Sequence, residues 1–535
     1  MSGINLSMLK TLLVALIIAH ILFGRIRSYR TARKAVGSLP VVLYPFAPFK
    51  LPGIFFPSSW WNPGLLNTWH QRGLLYLRNK SKTFAAIGWL DGNYVIFSSS
   101  FEVISQVSGP KARWDRTKKT GEIQKHRRIV GPAFNNQLNR RVWEESLAVW
   151  DEMSIEEGWE GTKTVHIPDV KTSTGKFTLS IIGRAGFGIS GEADTRKVVG
   201  EDGMSLREAF RITGENPMVR TMLPSWVFRL PIQKFKEVKA AEKLLLRTMH
   251  AQIDDRRTRE GSAAASERDQ EGNGDIFHHL LAANAREVPE KALSDAELLS
   301  NVFILLFAGH GTRHTLPDDF GLLACHPEEQ ERLAAFVRET CPEDKVANMW
   351  DRMDELRPVY DCIIETLRLF PDLATAVAPV VLRRSTEDSV LQIPGLADAI
   401  PLPKGTLFVG DLIGISYDPD AYVSPHTFLP SRWAGKNLIS TDLAPFGHGI
   451  HMCLGRYFAM TEMMAFLCML LNRWEIVPVK RGGESLRDWK ERVLDRNQIR
   501  HLNSSSCHAY SDFTALEDAW RSALFYLSWG RSCSS

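Results

Sequence analysis

Residues 445–467, PFGHGIHMCLGRYFAMTEMMAFL, set a cysteine between glycines and two histidines directly ahead of an apolar, helix-forming run. This stretch restricts the fold strongly, because a helix must begin beside Cys453 while the flanking backbone stays clear of side chains. Gly449 and Gly455 let the backbone approach a flat or bulky partner, and the helix start aims N–H groups and a positive dipole end at the sulfur. Both effects favour thiolate over thiol. Three chemistries remain open: a nucleophile paired with His448 or His451, a ligand to iron, or one more buried thiol.

The remaining pattern predicts a mainly α chain with a minor β-sheet, an α+β arrangement. SDAELLSNVFILLFAGHGT has Ser294 and Glu297 in capping-box spacing and is then apolar on nearly every face, as a helix through a large core would be. LRPVYDCIIETLRLFP carries apolar residues at 359, 363, 364, 367 and 370 before Pro371 stops it. NYVIFSS and TLFVGDLIGIS read as short strands, and REGSAAASERDQEGNGD (259–275) as a surface loop between helices.

The N-terminus adds a second constraint. Ile4–Phe23 carries only Lys10 and His20 as ionisable groups, and about 20 helical residues match the hydrocarbon core of a bilayer. Arg25, Arg27, Arg30, Arg33 and Lys34 follow, which predicts a single-pass anchor over 1–24 with the body on the cytosolic side. Prolines at 40, 45, 48, 52 and 57 predict a basic, Pro-rich linker over 25–57. The body is then expected over 58–500, with an atypical tail over 501–535 whose Phe513, Leu516, Trp520, Leu524 and Leu527 have helical spacing. Seven unpaired cysteines suit a reducing compartment. A net charge of only +4 argues against a nucleic-acid partner.

The F-x-x-G-x-H-x-C-x-G pattern of Phe446, Gly449, His451, Cys453 and Gly455 resembles the haem-binding loop of the haem-thiolate monooxygenases, the cytochrome P-450 family. Other segments follow in that family's order. ETLR places Glu365 and Arg368 one helical turn apart, and FLPSRW supplies Arg432 as the third member of the triad that locks the fold around haem. GEIQKHRRIVGPAF resembles the segment whose arginine, here Arg127, meets a haem propionate; His451 stands where fungal members usually carry a second arginine. AGHGTRHTL resembles the oxygen-activation signature, with Ala308 and Gly309 as groove residues and Thr312 as the proton-delivering hydroxyl. The acid that normally precedes that threonine is Gly311, and Pro317 falls where the helix should continue.

The resemblance implies a cytochrome P-450-like fold behind a transmembrane helix, with haem b (iron protoporphyrin IX) on the Cys453 thiolate. It implies a monooxygenase that uses O2 and electrons from an NADPH-dependent reductase to hydroxylate or epoxidise a lipophilic small molecule, such as a terpenoid or other secondary metabolite. The expected location is the endoplasmic reticulum membrane, with the catalytic domain facing the cytosol. The basic KHRR cluster suits docking of an acidic reductase. A haem-thiolate protein with isomerase-type or no turnover, and a cysteine-nucleophile hydrolase, stay open as alternatives.

Overall fold

The computed structural model describes residues 6–49, 62, 73–109, 112–115, 120–188, 200, 203–215, 228, 231–260, 275–309, 312, 315–371, 380–436, 445–447, 452–494 and 525–529. Helices carry most of this chain. Those that matter below are α1 (Leu6–Ala35), α2 (Thr120–Val130), α3 (Asn136–Glu156), α4 (Asp295–Gly309), α5 (Thr315–Cys325), α6 (Arg357–Leu369) and α7 (Arg456–Arg473). Their ends follow local chemistry. Asn135 caps α3 by accepting from the Leu138 N–H at 2.9 Å, and the Ser294–Glu297 capping box ahead of α4 forms in both directions.

The helical core is built around α7. From Met460 to Leu471 every residue of α7 is buried, so its all-round apolarity reflects a helix surrounded by protein. Phe466 meets Trp150 of α3 edge-on at 5.2 Å and Phe177 at 4.8 Å, arrangements that add to area burial.

A six-stranded sheet lies to one side in the order β1-β2-β3-β9-β6-β4. Its strands are β1 (Val41–Tyr44), β2 (Thr83–Gly88), β3 (Tyr94–Ser98), β4 (Trp114–Asp115), β6 (Val380–Ser385) and β9 (Leu407–Asp411). Two of them are the strands expected from NYVIFSS and TLFVGDLIGIS, and they pair in parallel, Val95 opposite Leu407. The second ends sooner than expected, because Asp411 caps the Gly414 N–H at 2.8 Å and turns Leu412–Ser416 into a helical turn.

Of the segment expected to link anchor and body over 25–57, residues 25–49 are described and pack onto the body, while 50–57 lie outside the described residues. The α1 helix runs through the basic cluster to Ala35, Val36 and Leu39 are fully buried, and β1 pairs with β2. Prolines do not prevent this, since Pro40 and Pro45 flank β1 at the edge of the sheet, where a missing N–H costs no ladder bond. Among the described residues no helix is long and apolar enough to cross a membrane.

Pro317 lies in α5, whose described residues begin at Thr315; between α4 and α5 only Thr312 is among the described residues. One further expectation meets a different structure. In the tail, Leu527 belongs to a strand, β11 (Phe525–Trp529), which lies between β10 (Trp474–Pro478) and β5 (Thr164–Ile167). Backbone pairing on both sides overrides the helical spacing there. Residues 513–524 and most of the 259–275 loop lie outside the described residues.

Candidate active site

Cys453 sits two residues before α7. Its N–H donates to the Phe446 carbonyl at 2.8 Å, which closes the loop, and Gly447 makes the turn with φ +80°. The side chain is exposed. The Gly455 N–H hydrogen-bonds to the sulfur, and the Arg127 and Arg456 guanidiniums stand close enough to favour the thiolate. Although the residue is open to solvent, packing of protein around it outweighs all three and raises the thiol from its ordinary range. His448, Gly449 and His451 lie outside the described residues.

That balance separates the open chemistries. A nucleophile needs a thiolate at neutral pH with no metal to help, and desolvation opposes it. A ligand does not, because a coordinating thiol is deprotonated by the metal itself. The donor set therefore fits the haem iron implied by the resemblance: one accessible sulfur, a backbone N–H and two cations beside it.

Arg127 reaches this loop from α2 and donates to the Met452 carbonyl at 2.8 Å. It thus ties α2 to the residue before Cys453. Its neighbours in KHRR are also engaged: Lys125 pairs with Glu297 at 3.1 Å and Arg128 with Glu287 at 3.0 Å. The cluster joins helices, with Arg128 still half-exposed.

Glu365 and Arg368 come together as their spacing implied, and Arg432 joins them as the resemblance implied. Glu365 and Arg368 are completely buried, with Arg368 Nη2 to Glu365 Oε1 at 2.8 Å and Nε to Oε2 at 2.9 Å. Arg432 Nε donates to the same Oε1 at 2.9 Å, Leu429 N–H at 3.0 Å, and Trp433 Nε1 to Oε2 at 2.9 Å. The arginines spend their remaining donors on the carbonyls of Ser416, Pro425, Thr427 and Val423. These three side chains hold protein to protein, which is a lock on the segment between α6 and the cysteine loop and not a contact surface for a cofactor. Trp433 was not foreseen, although it directly follows Arg432.

The groove residues divide. Ala308 at the end of α4 is exposed, but Gly309 serves packing: a Cβ there would lie 2.5 Å from Ile182 Cγ1. Gly311 lies outside the described residues. Thr312 bonds back to the Gly309 carbonyl at 3.3 Å, as helix-end threonines do. Its hydroxyl also lies 2.7 Å from Glu462 Oε2 on α7. Glu462 is the residue that motif reading missed. Its one signal was a lone acid within the buried run FAMTEMMAFL.

A family model described as Cytochrome P450 matches residues 116–499. Cytochrome P450 monooxygenase 124 of Postia placenta is 32% identical over 386 residues, 70% of this chain and 71% of its own length. Cyclooctat-9-en-7-ol 5-monooxygenase of Streptomyces melanosporofaciens is 26% identical over 359 residues, 66% and 70% of the two chains. Among solved structures, the retinoic acid-bound cyanobacterial CYP120A1 superposes with a TM-score of 0.59 at 22% identity, covering 83% of this chain and 94% of that one.

Proposed function

The chain belongs to the cytochrome P450 family, and we propose that it is a membrane-anchored member that oxidises a lipophilic small molecule. It is a haem-dependent monooxygenase, an oxidoreductase, with haem b as cofactor and O2 and a redox partner as co-reactants. When bound through a thiolate, haem supplies the O–O cleavage and oxygen insertion. The chain's residues do the rest. Cys453 would hold the haem iron through its sulfur, and Gly455 N–H and Arg456 would favour the thiolate there. Arg127 braces the loop through Met452, and its remaining donors, with His451, would hold the haem propionates. Glu365, Arg368 and Arg432 keep the loop in place. Thr312 holds the hydroxyl that moves a proton.

The observation that carries this reading is the exposed Cys453 sulfur at the start of an otherwise buried helix. Reduced, CO-treated protein is expected to show the thiolate-ligated Soret band, and Cys453→Ala to lose it. Retention of that band in the variant refutes the ligand assignment.

The substrate class is hydroxylated or epoxidised at a hydrocarbon position, as in terpenoids and other secondary metabolites. Support comes from a relative named for 5-oxygenation of cyclooctat-9-en-7-ol, an unsaturated alcohol by its name. The electron donor is an NADPH-dependent reductase, and the location is the endoplasmic reticulum membrane with the body facing the cytosol. Anchoring is supported by the apolar run Ile4–Phe23 and by Leu12, Leu13, Val14, Leu16 and Phe23, which α1 leaves exposed. The full chain is expected to resist carbonate extraction and a chain lacking residues 1–24 to be released; equal release of both overturns the anchor.

A further inference from the structure

Cys341 and Cys468 meet at the end of α7 remote from Cys453. Cys468 lies in the last two turns of α7, and Cys341 directly follows the helix Pro327–Thr340; both are completely buried. Asn472 Nδ2 donates to the Cys341 carbonyl at 2.8 Å and to the Cys468 carbonyl at 3.0 Å, so one amide holds both backbones. One residue on, Arg473 Nη2 donates to Glu343 Oε2 at 2.8 Å and clamps the chain just past Cys341. Between these clamps the two thiols hydrogen-bond to each other.

The pair is asymmetric. The bond from Cys468 draws the Cys341 thiol below its ordinary range against the pull of burial, and the Arg352 guanidinium adds to it; Cys468 is held well above that range. Cys341 therefore has the character of an attacking thiolate and Cys468 that of a resolving thiol. Cys325, Cys362 and Cys453 differ, since burial raises all three and no thiol acts on them. The cover over Cys341 is thin: Thr340 and Pro342 are half-buried and Glu343, Asp344 and Lys345 are exposed. A local opening of this helix end admits a small oxidant without disturbing α7.

We propose that Cys341 and Cys468 form a peroxide-sensitive thiol pair that closes a reversible disulfide clasp. The Cys341 thiolate attacks one oxygen of hydrogen peroxide and the O–O bond breaks. The other oxygen leaves as hydroxide, takes up the proton that Cys341 released, and becomes water; Cys341 becomes a sulfenic acid. The Cys468 sulfur then attacks the Cys341 sulfur, the S–O bond breaks, and the Cys468 proton leaves with the hydroxyl as a second water. Two thiols are oxidised to one disulfide as one peroxide is reduced. Exchange with a small thiol reopens the clasp, which suits a reducing compartment. Residues 342–467 between the two cysteines include Glu365, Arg368, Arg432 and Cys453, so the closed clasp confines the unfolded chain across the whole site. An O2-reducing haem centre is one source of peroxide; that source rests on the monooxygenase reading above, and the clasp does not.

The test treats the full-length holoenzyme with a small excess of hydrogen peroxide, then alkylates and digests it without reductant. Mass spectrometry is expected to find one linked peptide pair carrying Cys341 and Cys468, which dithiothreitol removes. The urea midpoint, followed by tryptophan fluorescence, is expected to rise by about 1 M on oxidation and to stay unchanged in Cys468→Ala. Cys341 recovered as free thiol, or as sulfinic or sulfonic acid with no linked pair, overturns the proposal, as does an equal rise in Cys468→Ala. Should Cys468→Ala not fold, reversal of the parent's midpoint by dithiothreitol supports the clasp and a midpoint that does not reverse overturns it. A parent that links its thiols but shows no reduced CO band supports the clasp and counts against the haem reading.

Discussion

Glu365 and Glu462 are both completely buried glutamates on helices that pack against each other, yet their surroundings solve the burial problem in opposite ways. Glu365 has two arginines, an indole N–H and a backbone N–H on its two oxygens. Glu462 has one hydroxyl, and its other oxygen has no partner among the described residues. A buried charge survives only when its partners and hydrogen bonds replace water; a buried acid without them keeps its proton. The first arrangement suits a rigid lock and the second a neutral acid. The same residue type, at the same depth, is placed in two roles by what surrounds it.

The contrast is broken most severely by Arg368→Ala. Glu365 would then be a buried charge missing its principal partner, and unfolding in urea is expected to show a loss of about 3–5 kcal/mol. Trp433→Phe removes one donor from the same carboxylate and keeps an aromatic ring, though a smaller one; a loss of about 1.5–3 kcal/mol is expected from the same measurement. A smaller value would mean that the two arginines alone satisfy Glu365.

Acid titration sharpens the other side. The folded-state pKa of Glu462 is raised above its unfolded value near 4.5. The folded chain keeps a proton that the unfolded chain releases, so this group's contribution is fully present below about pH 4.5 and is lost as pH rises toward the folded value. The slope is at most about 1.4 kcal/mol per pH unit. Comparing parent and Glu462→Gln in urea between pH 5 and 7 should show a flatter profile in the variant. Parallel profiles would mean that Glu462 is ionised. The smallest effect is expected for Glu462→Met at neutral pH, a change within about 1 kcal/mol, because an apolar group of similar size replaces a poorly satisfied polar one. A loss comparable to that of Arg368→Ala would mean that the two glutamates are alike after all.

Several features of the site are legible in the chain because they are local. The Glu365–Arg368 pair is one helical turn, the Ser294–Glu297 capping box is another, and the Cys453 loop closes within eight residues onto Phe446. The order of motifs adds Arg432 and Arg127. Reading failed where a short-range pattern had no knowledge of its neighbours. Prolines around 41–44 looked like a linker because their tolerance depends on which sheet edge they occupy. Leu527 had helical spacing but pairs with strands far away in sequence. KHRR hid its pairings because Glu287 and Glu297 lie well over a hundred residues on.

By itself the sequence determined which residues could carry chemistry: a cysteine ahead of a helix, a glutamate and arginine in register, and a threonine after small residues. Periodicity and spacing along one backbone are enough for that, since i to i+3 contacts are set by helix geometry. Only the tertiary structure decided the state of each group. Whether Gly309 opens a groove or admits Ile182, whether the Cys453 thiol is lowered or raised, and whether a buried glutamate is ion or acid all depend on desolvation and on donors arriving from distant segments. Thr312 meets Glu462 across 150 residues of chain, and no local pattern contains that contact.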